Sequence, residues 1–283
     1  LFIELGMFLL CAGVSAGYGE SDYKYFLYTC IINAVVGGLL LLYGRGAENK
    51  MSRRDGYCVV TLSWVFFTFF GMLPFYFSGS IDTITNAFFE TMSGFTTTGA
   101  TILDDIESLS HGMLFWRSLT QWIGGLGIVF FTIAILPIFT TGGVQLFSAE
   151  STGVTHDRTH PKINVMAKWL WTIYLVLTVS ETVLLMFGGM SLFDAICQSF
   201  ATTATGGYST KQNSISYWNS PYIEYVVAIF MIVSSINFSL FLMCLKGKVG
   251  RLFKDEELHW FLASVRILTF LITLALVFQN NYD

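Results

Sequence analysis

The sequence predicts an all-α integral membrane protein in which helix, short pore helix, loop and helix recur as a unit. Three observations predict it. Hydrophobic residues make up 54% of the 283 and charged ones only 12%, whereas soluble domains carry about a quarter charged. Apolar runs approaching the roughly 20 residues that cross a bilayer as a helix occur seven times. Two further apolar stretches of about ten residues are too short to cross, and they match one another at a spacing of 108 residues.

The long runs lie at Leu1–Gly17, Tyr25–Tyr43, Tyr57–Phe77, Met113–Pro137, Val165–Phe187, Tyr222–Leu245 and Phe261–Phe278. Pro137 after the fourth and Pro221 before the sixth punctuate helices. The first run has neither an initiator Met nor a basic flank, so it reads as a spanning helix rather than a cleaved signal peptide. The chain is expected to begin part-way into its gene and to be truncated after the last run. The short stretches, Ile84–Gly94 and Leu192–Ala201, read as re-entrant helices.

Charge along the loops tests that topology, because Lys and Arg collect on the cytoplasmic side. Loop 44–56 holds Arg45, Lys50, Arg53 and Arg54; loop 138–164 holds Arg158 and Lys162; loop 246–260 holds Lys246, Lys248, Arg251 and Lys254. The alternate connections carry only Lys24 and Lys211 as cations, against acids that include Glu20, Asp82, Asp104, Asp105, Glu107 and Asp194. Basic loops inside and acidic loops outside is the consistent solution, and it requires each short helix to dip in from outside and return.

In the 108-residue register, Asn86 to Thr91 lies over Asp194 to Ser199, and Thr97-Thr98-Gly99-Ala100-Thr101 lies over Thr205-Gly206-Gly207-Tyr208-Ser209. The units so defined span residues 57–137 and 164–245, and residues 260–283 would open a third. Backbone carbonyls can replace the hydration shell of a monovalent cation without fixed charge. Turning successive carbonyls inward strains the chain where glycine tolerates it, and Gly99, Gly206 and Gly207 sit there. Hydroxyls of Thr96, Thr97, Thr98, Thr202 and Thr203 can add hydrogen bonds or oxygen ligands. Irregular backbone at membrane depth must be buried or line water, so two such loops imply a shared aqueous path. The C-terminal end of each short helix would favour a cation there.

The stretches Phe88 to Thr101, Gln121-Trp122-Ile123-Gly124-Gly125-Leu126-Gly127-Ile128, Gly142 to Glu150 and Ala204-Thr205-Gly206-Gly207-Tyr208-Ser209-Thr210 resemble the Trk, Ktr and HKT superfamily of potassium transporters, and specifically its bacterial Trk pore subunit. The resemblance implies four helix–pore loop–helix repeats around a pseudo-fourfold pore, preceded by two helices. Residues 1–44 would be that preceding pair, and two repeats would follow. It implies filter carbonyls at Thr97, Thr98 and Gly99 and at Thr205, Gly206 and Gly207, with Thr96, Glu90, Ala204 and Tyr208 supporting them. Relatives that admit sodium often carry Ser at the first filter glycine, so Gly99 favours potassium. The resemblance further implies potassium as the transported ion with no cofactor, residence in the bacterial plasma membrane among its lipids, a homodimer, and a cytosolic nucleotide-binding regulatory subunit. No nucleic-acid partner is expected. Repeats three and four, and the gating loop of the third, are not in this sequence.

Other residues carry competing readings. Glu90, an acid at membrane depth, biases the outer mouth toward cations or hydrogen-bonds behind the filter; the second is preferred because its repeat partner Gln198 keeps the shape without the charge. Arg117 is expected to snorkel to the interface or pair with Asp104 or Asp105. His156 and His160, four apart, read as solvated loop rather than metal ligands. The glycines at 124, 125 and 127 read as helix packing in preference to flexibility. The seven tryptophans, mostly near helix ends, read as interfacial anchors, and the five cysteines as buried small hydrophobes. The function classes are then a potassium channel-like subunit, a sodium- or proton-coupled symporter with Glu181 and Glu224 as further membrane acids, and a less selective cation channel. The metalloprotease, nucleophile-elbow and phosphate-loop motifs of enzymes do not occur.

Overall fold

The computed structural model describes residues 1–46, 53–135, 163–237, 240–241, 250 and 255–280, and among them it contains helices and turns and no strand. It divides into residues 1–234 and 235–283. In the first unit, α1 (Phe2–Gly17) and α2 (Tyr23–Gly44) form a hairpin. Then come α3 (Arg53–Gly71), α4 (Leu73–Ser78), α5 (Ile84–Phe95), α6 (His111–Ile135), α7 (Ile163–Phe187), α8 (Leu192–Thr203) and α9 (Pro221–Ser234). The second unit contains α10 (Glu256–Asn280), whose apolar side chains, such as Ile267, Phe270 and Ile272, are exposed. Among the described residues four helical stretches are long and apolar enough to cross a membrane: Tyr23–Gly44, Thr61–Ser78, Lys168–Phe187 and Glu256–Gln279.

Three expected spans differ in detail. The third run is two helices, α3 and α4, which meet at Met72; Pro74 in the first turn of α4 has no N–H to continue the ladder. The indole Nε1–H of Trp116 donates to the Gly71 carbonyl at 2.9 Å and secures this junction. The fourth run contains a break at Gly127, with φ +67° and ψ 149°, a conformation that L side chains rarely adopt. The sixth was expected to reach Leu245, but α9 ends at Ser234. Ser235 and Asn237, which follow directly, are residue types that favour turns over helix interiors. Gly127 and Ser235 are themselves 108 residues apart, so both helices are interrupted at the same register.

Helices α5 and α8 have 12 residues each, about 18 Å at 1.5 Å per residue, well short of a hydrocarbon core of about 30 Å. Side-chain caps start both: Thr83 Oγ1 accepts from the Asn86 N–H at 3.2 Å, and Ser191 Oγ from the Asp194 N–H at 3.1 Å. Each then packs on α6. Phe8 of α1, Trp116 of α6 and Phe95 of α5 form one aromatic cluster, tilted at the first pair and edge-to-face at the second, with centroids 4.5 and 6.0 Å apart. Trp122 of α6 lies 5.1 Å from Phe200 of α8 and 5.6 Å from Tyr174 of α7. Trp116 and Trp122 are therefore buried packing residues, not interfacial anchors, whereas Trp169 and Trp260 are exposed. Cys11, Cys30 and Cys197 are buried free thiols, while Cys58 is exposed, contrary to expectation. Cys244 lies outside the described residues.

Candidate functional site

The loops that follow α5 and α8 leave their helices through the same set of bonds. Thr96 N–H donates to Met92 C=O at 2.8 Å, Thr97 N–H to Gly94 C=O at 2.9 Å and Thr98 N–H to Ser93 C=O at 2.9 Å. At positions 108 higher, Ala204 N–H donates to Phe200 C=O at 3.2 Å, Thr205 N–H to Thr202 C=O at 2.9 Å and Gly206 N–H to Ala201 C=O at 2.8 Å. The last two bonds of each set are the paired bonds of a Schellman helix end, which places the residue after the cap in the left-handed region. Here that residue is threonine, with φ +53° at Thr97 and +55° at Thr205. A β-branched side chain in this region is an outlier, with a strain of about 1–3 kcal/mol. Two residues on, φ is positive again, +75° at Gly99 and +85° at Gly207. Alternation of left-handed and ordinary backbone reorients successive peptide planes, and both loops repeat it at equivalent positions.

The loops also meet. A Cβ on Gly99 would collide with the carbonyl oxygen of Gly206, so the close approach itself demands glycine. The carboxamide of Gln121, on α6, fills the place where a Cβ of Gly206 would lie, and Gln121 Oε1 accepts from the Tyr208 N–H at 3.1 Å. The expected helix packing of Gly124 and Gly125 is observed. Gly124 lies against the Phe95 carbonyl at the end of α5, and Gly125 lies against Ala204 and the Tyr174 hydroxyl at the end of α8. Gly127 has a different role, the helix break already described.

Behind the loops is a buried ionic network. Glu90 Oε1 accepts from Arg117 Nε at 2.7 Å and from Thr101 Oγ1 at 2.9 Å, and Oε2 from the Ile102 N–H at 3.0 Å. Arg117 Nη1 donates to the Ser209 carbonyl at 2.9 Å, and its guanidinium lies 3.6 Å from the Tyr208 ring centroid. The Tyr208 hydroxyl donates to the Glu90 carbonyl at 2.8 Å. Both charged side chains are at most 3% exposed. Glu90 thus sits behind the loops, and Arg117 is corrected: it neither snorkels nor pairs with Asp104 or Asp105, because the acid available at its buried depth is Glu90. Its position in repeat two is taken by Tyr225, which is exposed, so one network supports both loops.

Thr96 and Thr98 are exposed and share a hydroxyl contact of 2.9 Å. Thr202 and Thr203 point away from the loop into the protein, with Thr202 Oγ1 donating to Gln198 C=O at 3.0 Å and Thr203 Oγ1 to Glu181 Oε2 at 3.5 Å. Glu181 is buried in α7 and its Oε1 has no hydrogen-bond partner; Glu224 is exposed. His156 and His160 lie outside the described residues. Sequence reasoning gave Gln121 no role, although it opens one of the stretches that carry the resemblance and lies one helical turn after Arg117 on the same face of α6.

Away from the loops, Glu20 joins the α1–α2 connection to α6. Its carboxylate accepts from the His111 N–H at 2.8 Å and the Gly112 N–H at 3.2 Å, and lies 2.8 Å from His111 Nδ1. Partial burial disfavours its charge, but these contacts outweigh that and hold the carboxyl below its ordinary value. Tyr18 stacks on the His111 ring at 3.9 Å, and Phe193 of α8 meets that ring edge-on at 4.9 Å.

Comparison with known proteins places this arrangement in context. A family model described as TrkH, cation transport protein, matches residues 23–279. The chain is 40% identical over 281 residues to the Trk system potassium uptake protein TrkH of Escherichia coli K12, covering 98% of this chain and 58% of the relative. It is 33% identical over 252 residues to TrkG of the same organism, covering 88% and 52%. The crystal structure of the potassium transporter TrkH from Vibrio parahaemolyticus superposes with a TM-score of 0.82 at 32% identity, over 98% of this chain and 57% of that one. The chain therefore spans a little over half the length of these relatives.

Proposed function

The chain belongs to the TrkH family of cation transport proteins, and from that premise we propose that it supplies two of the filter loops of a channel-like potassium uptake protein. The observation that carries this reading is the pair of equivalent loops, left-handed at Thr97 and Gly99 and at Thr205 and Gly207, in contact where Gly206 C=O meets Gly99. Carbonyls of Thr97, Thr98, Gly99, Thr205, Gly206 and Gly207 replace the water of a passing potassium ion. The C-terminal ends of α5 and α8 add the negative end of a helix dipole at the loops. The strain at two threonines is sustained because the network of Glu90, Arg117 and Tyr208 over-determines the surrounding backbone. The Trk relatives and the solved structure carry potassium uptake or potassium transport in their names, and this supports potassium as the cargo. In this reading the protein resides in the bacterial plasma membrane with its basic loops cytoplasmic, pairs as a homodimer, and works with a cytosolic nucleotide-binding subunit. The test is rubidium uptake by the full-length protein in liposomes. Uptake competed by potassium and not by sodium is expected, and equal permeation of the two ions overturns the selectivity assignment.

A coupled symporter is the second reading, favoured by one observation: the buried Glu181, with an unpartnered oxygen, beside the end of α8. The two separate electrically. A pore gives currents that reverse at the potassium equilibrium potential, and a symporter gives a reversal set by both ions.

A further inference from the structure

Gln121, on α6, is wholly buried and its carboxamide lies beside Gly206 and near Gly99. Its Oε1 accepts from the Tyr208 N–H at 3.1 Å. A backbone N–H can only donate, so that bond fixes which end of the carboxamide is oxygen. The Nε2 amide is thereby turned the other way, 3.8 Å from where a Cβ of Gly99 would lie, and it has no hydrogen-bond partner. The Oε1 and Nε2 atoms stand 2.5 and 2.7 Å from the Cβ position of Gly206. Three layers are thus in contact: the Gln121 amide, the Gly206 peptide and Gly99. The amide therefore backs the peptide whose carbonyl bears on the opposite loop. A buried amide donor without a partner costs about 1–3 kcal/mol, so an apolar side chain of similar volume would serve packing better. The polar side chain is accounted for by the Tyr208 N–H that it holds.

We infer that Gln121 is a positioning residue of the filter: it braces the Gly206–Tyr208 segment against Gly99 and so sets the spacing on which discrimination between potassium and sodium depends. The inference rests on the pore reading above. Arg117 grips the same loop segment one residue further on through Ser209 C=O, so the Gln121 bond can be removed while the segment remains attached.

The test compares Gln121→Met, which keeps the volume and loses the bond, Gln121→Asn, which falls one methylene short of Tyr208 N–H, and Gln121→Glu, which keeps an acceptor in place. Rubidium uptake with sodium competition is measured on full-length protein in liposomes, with thermal unfolding of each variant as the folding control. Discrimination is expected to fall about fivefold in the Met and Asn variants, the equivalent of one net hydrogen bond, and most of it is expected to return in Gln121→Glu. A folded Gln121→Met protein with the wild-type discrimination ratio overturns the inference. So does a Gln121→Met protein that fails to accumulate, because that makes the residue a folding requirement and not a brace. Failure of the wild-type protein to discriminate is a different result, and it strikes the pore reading itself.

Discussion

Replacing Arg117 by Met tests whether the ionic network behind the loops holds the site together. The substitution keeps most of the side-chain volume and removes three interactions: the charge-assisted bond to Glu90, the bond to Ser209 C=O, and the guanidinium contact with the Tyr208 ring. It leaves Glu90 buried with only Thr101 Oγ1 and the Ile102 N–H as partners. Breaking one side of a buried pair costs about 3–5 kcal/mol, most of it the penalty of the charge left behind. Exposed pairs are worth about 0–1 kcal/mol, so the two cases are separable. The assay is denaturant or thermal unfolding of the purified full-length protein, run as a double-mutant cycle with Glu90→Gln. A loss of about 3 kcal/mol or more in Arg117→Met is expected, together with a double variant less destabilised than the sum of the singles by at least about 1 kcal/mol. Additive singles, or a loss within the surface-pair range, would refute the argument that this network supports both loops.

Gly99→Ala places a methyl group on the Gly206 carbonyl and a side chain at φ +75°, so rubidium uptake is expected to disappear while the protein still accumulates in the membrane; uptake near the wild-type rate would show that the loops do not meet as described. Glu20, held below its ordinary value, contributes stability that is present above the ordinary glutamate range and is lost as pH falls through its lowered folded value. The wild-type protein should therefore lose thermal stability on acidification below about pH 4.3, and Glu20→Gln should flatten that slope; identical slopes would remove the Glu20–His111 contact from the account. Glu181→Gln should leave rubidium flux within about twofold of wild type with reversal at the potassium potential, since the neutral amide fits the uncharged surroundings of that site. A shifted reversal potential would favour coupled transport instead.

Much of this architecture was legible because membranes restrict the possibilities. Runs of 20 apolar residues, basic loops and two helices too short to cross leave little choice of topology. The 108-residue register was legible because glycine and threonine recur where the backbone must turn. The breaks were not. Nothing in the apolar pattern distinguishes Gly127, which interrupts α6, from Gly124 and Gly125, which let it pack. Ser234 and Ser235 read as small residues inside a long run, and only the three-dimensional course shows α9 ending there. Arg117 was misjudged for a related reason. Its place near a helix end suggests access to water, and sequence alone does not report that Glu90 lies 2.7 Å away.

The two repeats differ in what has been kept. Their backbones share cap bonds, the bounds of α5 and α8, and positive φ at two equivalent positions, while the side chains behind them diverge: Glu90 corresponds to Gln198, and Arg117 to Tyr225, in register. An ion on a common axis would sense carbonyl positions from each side, so the backbone that presents them is constrained equally in both repeats. The supports behind it are constrained only in sum. A single buried pair reaching from Ile102 N–H to Ser209 C=O can steady both loops, and a different acid, Glu181, stands at the end of α8. If that division of labour holds, loss of Arg117 should impair both loops together. Amide exchange should then rise at Thr98 and at Tyr208 alike, and an effect confined to the first loop would show that each repeat supports itself.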